Sequence, residues 1–97
     1  TPQPAHASGS TCNGDVCSEI LTSGTTLDRW KTVAYIDWGY KCRTAKYWVN
    51  GGLWRSQNHC GNGPTLVSYV YGPYTFPLGT QLCVSWSSTL GYACLTM

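Results

Sequence analysis

Six cysteines in 97 residues fall into three neighbouring pairs, each arranged about a turn-forming segment. Cys12 and Cys17 flank Asn13-Gly14-Asp15. Cys42 and Cys60 lie symmetrically about Gly51 in Asn50-Gly51-Gly52, and Cys83 and Cys94 straddle Ser87-Ser88-Thr89-Leu90. Cysteine spacing alone does not normally choose among the possible pairings. Here the turns do, because residues equidistant from a hairpin centre face each other with side chains on one face. The spacing therefore predicts Cys12–Cys17, Cys42–Cys60 and Cys83–Cys94. Zinc is the rival use of six cysteines, but there is neither a Cys-x-x-Cys nor a paired His spacing. No cofactor is implied.

A chain of this length makes one domain, small enough to benefit from covalent staples. Such a framework persists in an oxidising compartment, so the protein reads as secreted and extracellular. Ala5-His6-Ala7 has the small-x-small pattern of a signal-peptidase site. Residues 1–11 therefore read as a flexible arm or a signal-peptide remnant, and residues 12–97 as a single disulfide-stapled β domain. No apolar run is long enough to span a membrane. The formal net charge of +2 argues for neither a nucleic acid nor an acidic membrane as partner. All Asp, Glu, Lys and Arg residues lie between Asp15 and Arg55, so residues 56–97 are uncharged. That half must be kept wet by hydroxyls, amides and backbone, or covered by a partner.

The periodicity is that of strands. Val16 to Leu21 is a short strand. Leu27 to Trp38 alternates, with Trp30, Ala34, Ile36 and Trp38 on one face and Arg29, Lys31, Val33 and Tyr35 on the other. Cys42 to Val49 and Leu53 to Asn58 form the clearest hairpin, Leu66 to Tyr71 is a β-branched and aromatic run, and Pro73 and Pro77 break pairing around Phe76. Thr80 to Trp86 and Gly91 to Thr96 close the chain as a hairpin. Seven short strands predict an all-β fold, a compact antiparallel β-sandwich of immunoglobulin-like size, with a small barrel as the alternative.

Taking Asn50-Gly51-Gly52 as a three-residue loop sets a register. Cys42 faces Cys60 and Trp48 faces Trp54 on a side expected to be buried, where Lys46 is an awkward member. Tyr47 faces Arg55 and Arg43 faces His59 on the other side, predicting an exposed basic-aromatic patch of Arg43, Tyr47, Arg55, Gln57 and His59. Tyr69, Tyr71 and Tyr74, beside Gly72 and Pro73, read as a second binding element in a loop. Exposed Tyr and Trp among Ser, Asn and Gly are the composition of protein-binding surfaces. Aromatic rings also suit the apolar faces of sugars.

Catalytic patterns are weak. Cys60 beside His59 resembles a nucleophile and base, but adjacent strand residues point to opposite faces and Cys60 is assigned to a disulfide. Glu19 and Asp37 would have to oppose each other across a cleft to act as a glycosidase pair. No Gly-x-Ser-x-Gly elbow is present. The chain reads as a non-enzyme.

Several strings resemble small cysteine-rich secreted proteins of actinobacteria such as streptomycetes. These are Cys12-Asn13-Gly14-Asp15-Val16-Cys17, the Trp48-Val49-Asn50-Gly51 hairpin, Gly79-Thr80-Gln81-Leu82-Cys83-Val84-Ser85-Trp86 and the terminal Cys94. The resemblance covers roughly residues 10–97 and implies a scaffold without catalytic residues. A looser one is to the adaptor subunit of secreted umbrella-shaped toxin particles, which implies an arm engaging a lectin-like partner. The resulting expectation is a secreted recognition module for another protein, with a carbohydrate-binding module and a protease inhibitor or antimicrobial protein as alternatives.

Overall fold

The computed structural model describes residues 8–97 as eight β-strands with no helix. These are β1 (Gly9–Asn13), β2 (Val16–Ser23), β3 (Thr26–Tyr35), β4 (Tyr40–Val49), β5 (Gly52–Asn62), β6 (Thr65–Thr75), β7 (Gln81–Trp86) and β8 (Ala93–Thr96). They form two antiparallel four-stranded sheets in the orders β1-β2-β3-β6 and β5-β4-β7-β8. The sandwich is thus as the alternation predicts, with one strand more than expected. β1 supplies it, starting at Gly9 within the stretch assigned to an arm; the Ala5-His6-Ala7 motif lies outside the described residues.

All three predicted disulfides are formed. Each joins residues directly opposite in its own hairpin, Cys12 with Cys17, Cys42 with Cys60 and Cys83 with Cys94. Such a framework fits an oxidising, extracellular environment.

The core lies between the sheets. Val16, Ile20, Leu27, Trp30, Ala34, Leu66 and Val70 of the first sheet meet Ala45, Tyr47, Leu82, Val84, Trp86 and Ala93 of the second, and all are buried. Buried hydroxyls run through this layer and pair with the aromatic donors. The Trp30 indole donates to Ser18 Oγ at 2.9 Å and the Trp86 indole to Thr32 Oγ1 at 3.0 Å. A buried indole N–H left unpaired would cost about 1–3 kcal/mol, so a serine or threonine beside each Trp is a packing requirement.

The hairpin register departs from expectation at one point, and the departure matters. Asn50 and Gly51 both have positive φ, 49° and 82°, the geometry of a two-residue type I′ turn. Val49 therefore pairs with Gly52 and Trp48 with Leu53, not Trp54. The shift lies between Trp48 and Tyr47, leaving Trp54 as the extra residue of a bulge. Beyond it, Tyr47 faces Arg55 and Arg43 faces His59, as expected.

The face assignment is reversed, however. Tyr47 and Ala45 are buried against the opposite sheet, while Cys42, Cys60 and Lys46 point outward. A disulfide marks two facing strands, but it does not say which face of the sheet is covered. Lys46 is awkward only if its face is the core. On the outside it needs no explanation.

Candidate functional site

The predicted basic-aromatic patch does not exist as a surface. Tyr47 is fully buried, and Gln57 and His59 are turned toward the interior with it. Tyr47 O–H donates to Ser68 Oγ at 2.6 Å, Ser68 O–H donates to Gln57 Oε1 at 2.8 Å, and His59 Nε2 lies 2.9 Å from Ser68 Oγ. His59 Nε2 also lies 3.4 Å from Gln57 Oε1, so imidazole, hydroxyl and amide belong to one network. Ser68, moreover, has no solvent exposure. This serine–histidine contact, which sequence spacing did not suggest, closes a hydrogen-bond network between β4, β5 and β6.

Burial pushes the Tyr47 phenol up from 10.0 to about 12, against the lowering effects of the Ser68 hydrogen bond and the Arg55 charge. Between those pH values the unfolded phenol ionises while the folded one keeps its proton. The unfolded state then holds fewer protons, and stability falls as pH rises. We expect this contribution, about 2–3 kcal/mol, to be fully present below pH 10 and lost by pH 12. Denaturant titrations across this range should show a falling limb that Tyr47→Phe flattens; an equally steep limb in the variant would place its origin elsewhere.

Arg55 and Tyr74 belong to a half-buried cluster at the side of the sandwich. The Arg55 guanidinium donates to the Tyr74 hydroxyl at 2.7 Å and sits 4.7 Å from the Trp54 ring centre. Trp54 in turn touches Tyr74 and Phe76 edge-on and stacks at 5.9 Å on Trp30. This arginine is held by its own chain. Its aromatic partners continue the core outward through the bulge.

Tyr69, Tyr71 and Tyr74 are in β6, not in a loop. The strand runs unbroken to Thr75, and Gly72-Pro73 is absorbed where its register against β3 shifts. A Cβ at Gly72 would lie 2.1 Å from the Leu27 carbonyl oxygen, so the close approach of β3 admits only glycine here. Tyr69 and Tyr71 stack on the outer face of the first sheet, with ring centres 5.6 Å apart and planes 9° apart. Lys31 lies 5.9 Å from the Tyr69 ring. Beside them Glu19 and Lys31 line a groove of about 250 Å³ with Cys12, Cys17, Val33 and Tyr35. Arg29 pairs with Glu19 at 2.8 Å.

Arg43 contributes to a different place, the end of the sandwich where the β1–β2, β3–β4 and β7–β8 connections meet. It lines a cleft of about 180 Å³ with Asp15, Asp37, Lys41, Tyr35 and Thr89. No ion pair joins these four charged groups among the described residues. The connections are tied together by backbone: Asp15 N–H donates to the Leu90 carbonyl and Tyr35 N–H to the Asp15 carbonyl, both at 2.8 Å. A Cβ at Gly91 would fall 2.0 Å from the Asn13 carbonyl oxygen, so the β7–β8 loop can cross here only as glycine. Leu90 lines this cleft and is 81% exposed; Trp38 and Tyr40, the chain neighbours of Asp37 and Lys41, are 76% and 71% exposed, and these three exceed every other large apolar side chain described. Trp38 was expected to share the buried face of Trp30. It does not, because β3 ends at Tyr35 and the alternation stops with it.

The sequence missed this cleft because its lining comes from segments far apart in the chain. Compared with protein-family models, curated proteins and solved structures, the chain matches none.

Proposed function

We propose that this domain is a secreted, non-enzymatic recognition module that binds another protein through the loop end around the Asp15/Asp37/Lys41/Arg43 cleft. One observation carries the reading: Leu90, the most exposed large apolar side chain described, lines the charged cleft, and the two next most exposed, Trp38 and Tyr40, neighbour its Asp37 and Lys41 in the chain. Clustered exposed apolar groups with a polar rim mark interaction surfaces, and buried aromatic anchors dominate their energetics. The scaffold beneath is rigid, since backbone hydrogen bonds fix three of the connections to one another. Lys41 and Arg43 against Asp15 and Asp37 give the rim both signs of charge, which favours a partner with a mixed polar surface over a nucleic acid. The resemblance to small secreted actinobacterial proteins makes an adaptor role in bacterial antagonism the biological setting of this proposal.

The test is affinity capture from the producing organism's culture supernatant, followed by titration of the captured protein. The double variant Trp38→Ala, Leu90→Ser should keep the thermal midpoint and lose at least tenfold in affinity, as removal of an anchor does. A variant that binds as tightly as the parent would remove the loop end from consideration.

A further inference from the structure

Sandwich sheets expose edges, and an edge strand presents unpaired backbone N–H and C=O groups that invite another strand. Here the four edge strands are β1, β6, β5 and β8. Three of them are stapled to their inner neighbours by the disulfides, β1 to β2, β5 to β4 and β8 to β7. β1 and β8 are also short, at 5 and 4 residues. β6 is different. It has 11 residues, no disulfide, and no charged residue anywhere along it, so it lacks the usual protections of an edge until Gly72-Pro73.

Which of its backbone groups are free follows from the hydrogen bonds at the end of β3 and from strand alternation. Tyr35 N–H donates toward β2, to the Asp15 carbonyl, whereas Ile36 N–H donates toward β6, to the Pro64 carbonyl. In an antiparallel ladder a residue's N–H and C=O share a side and alternate along the strand. Even-numbered β3 residues therefore bond to β6, and their partners Leu66, Ser68 and Val70 bond back. Val67, Tyr69 and Tyr71 point N–H and C=O away from β3. Their side chains are also exposed, whereas those of Leu66, Ser68 and Val70 are buried. Backbone pairing capacity and an apolar side-chain row thus coincide on the same three residues.

We propose that β6 pairs antiparallel with β6 of a second copy of this chain about a two-fold axis at Tyr69, joining the two first sheets into one eight-stranded sheet. Tyr69 then meets Tyr69, and Val67 meets Tyr71, in a ladder of about six N–H···O=C bonds. A two-fold axis sets the residue on it against its own copy and repeats every other pair twice, so any charge at the centre would face a like charge, and β6 carries none. The pairing window lies between Pro64 and Pro73, neither of which can donate. Tyrosine opposite tyrosine, and tyrosine opposite valine, are favourable cross-strand pairs.

Sedimentation velocity of the full oxidised chain, from micromolar to millimolar concentration, should show a reversible dimer. Hydrogen exchange should slow at the Val67, Tyr69 and Tyr71 amides as concentration rises, while Leu66, Ser68 and Val70 stay protected throughout. Tyr69→Lys, which sets two ammonium groups face to face, should raise the dissociation constant at least tenfold. A monomer over the whole range, a dimer whose three edge amides exchange unchanged, or a Tyr69→Lys chain that dimerises as tightly as the parent would each overturn the proposal. So would a monomer that instead takes up an added extended peptide at these amides, since the occupant would then be a foreign strand. Should Tyr69→Lys fail to fold, the exchange pattern of the parent decides by itself.

Discussion

Reduction of the three disulfides is expected to unfold the domain at ambient temperature without denaturant. The bridges close loops with sequence separations of 5, 18 and 11 residues. Loop-closure entropy assigns them roughly 2, 3 and 3 kcal/mol in turn, and together they rival the whole stability of an ordinary small domain, about 5–15 kcal/mol. The core that remains is short of apolar bulk, with Ser18, Thr22, Thr32 and Ser68 occupying buried positions between the sheets. Tryptophan emission and far-UV dichroism, followed as reductant is added, should report the loss together. Replacing the pairs one at a time with alanine should rank them, with Cys42–Cys60 costing most and Cys12–Cys17 least. A reduced chain that keeps its native spectrum would mean that the interior alone holds the fold.

Trp30→Ala should be the most damaging single core substitution, costing about 3–5 kcal/mol for the cavity. Its ring has no exposure and packs edge-on against Tyr47 at 4.8 Å and in a stack against Trp54 at 5.9 Å. Removing it severs the contact between the buried phenol and the side cluster that holds Arg55 and Tyr74. It also deprives Ser18 Oγ of its donor, adding about 1 kcal/mol or more for the unsatisfied group. Urea titration of the variant beside Trp38→Ala makes the contrast sharp, since the exposed tryptophan should change stability by less than about 0.5 kcal/mol. Comparable losses in the two variants would contradict the burial pattern described above.

The disulfides were legible in the sequence because cross-strand pairing is symmetric about a turn, and in the one hairpin whose turn is a residue shorter than expected a bulge restores the register before the cysteines. The side-chain faces were not, for two reasons. The Asn50-Gly51 turn holds two residues, not three, and Trp54 restores the outer register as a bulge, so the error at the turn cancelled before Tyr47 and concealed itself. The choice of buried face then rested on the disulfide, which is equally at home on an outer surface. Lys46 was the residue that contradicted the choice, and a lysine is a better guide to the wet face than a cystine. The two candidate interaction regions differ in the same way. Tyr69 and Tyr71 belong to one continuous apolar run and could be singled out directly, although as a loop. Trp38, Tyr40 and Leu90 have no common signature along the chain. Leu90 reaches the cleft of Asp37 and Lys41 only because of where β3 and β7 end.

The placement of the bridges has a consequence for how the chain acquires them. Each cysteine meets its partner within a single hairpin, and none links one sheet to the other. Native oxidation therefore does not have to wait for the two sheets to dock; each thiol pair is brought together as soon as its own turn forms. Three independent closures can proceed in any order on a chain whose tertiary structure is still open. Shuffling has little to correct, because the nearest thiol is in every case the native one.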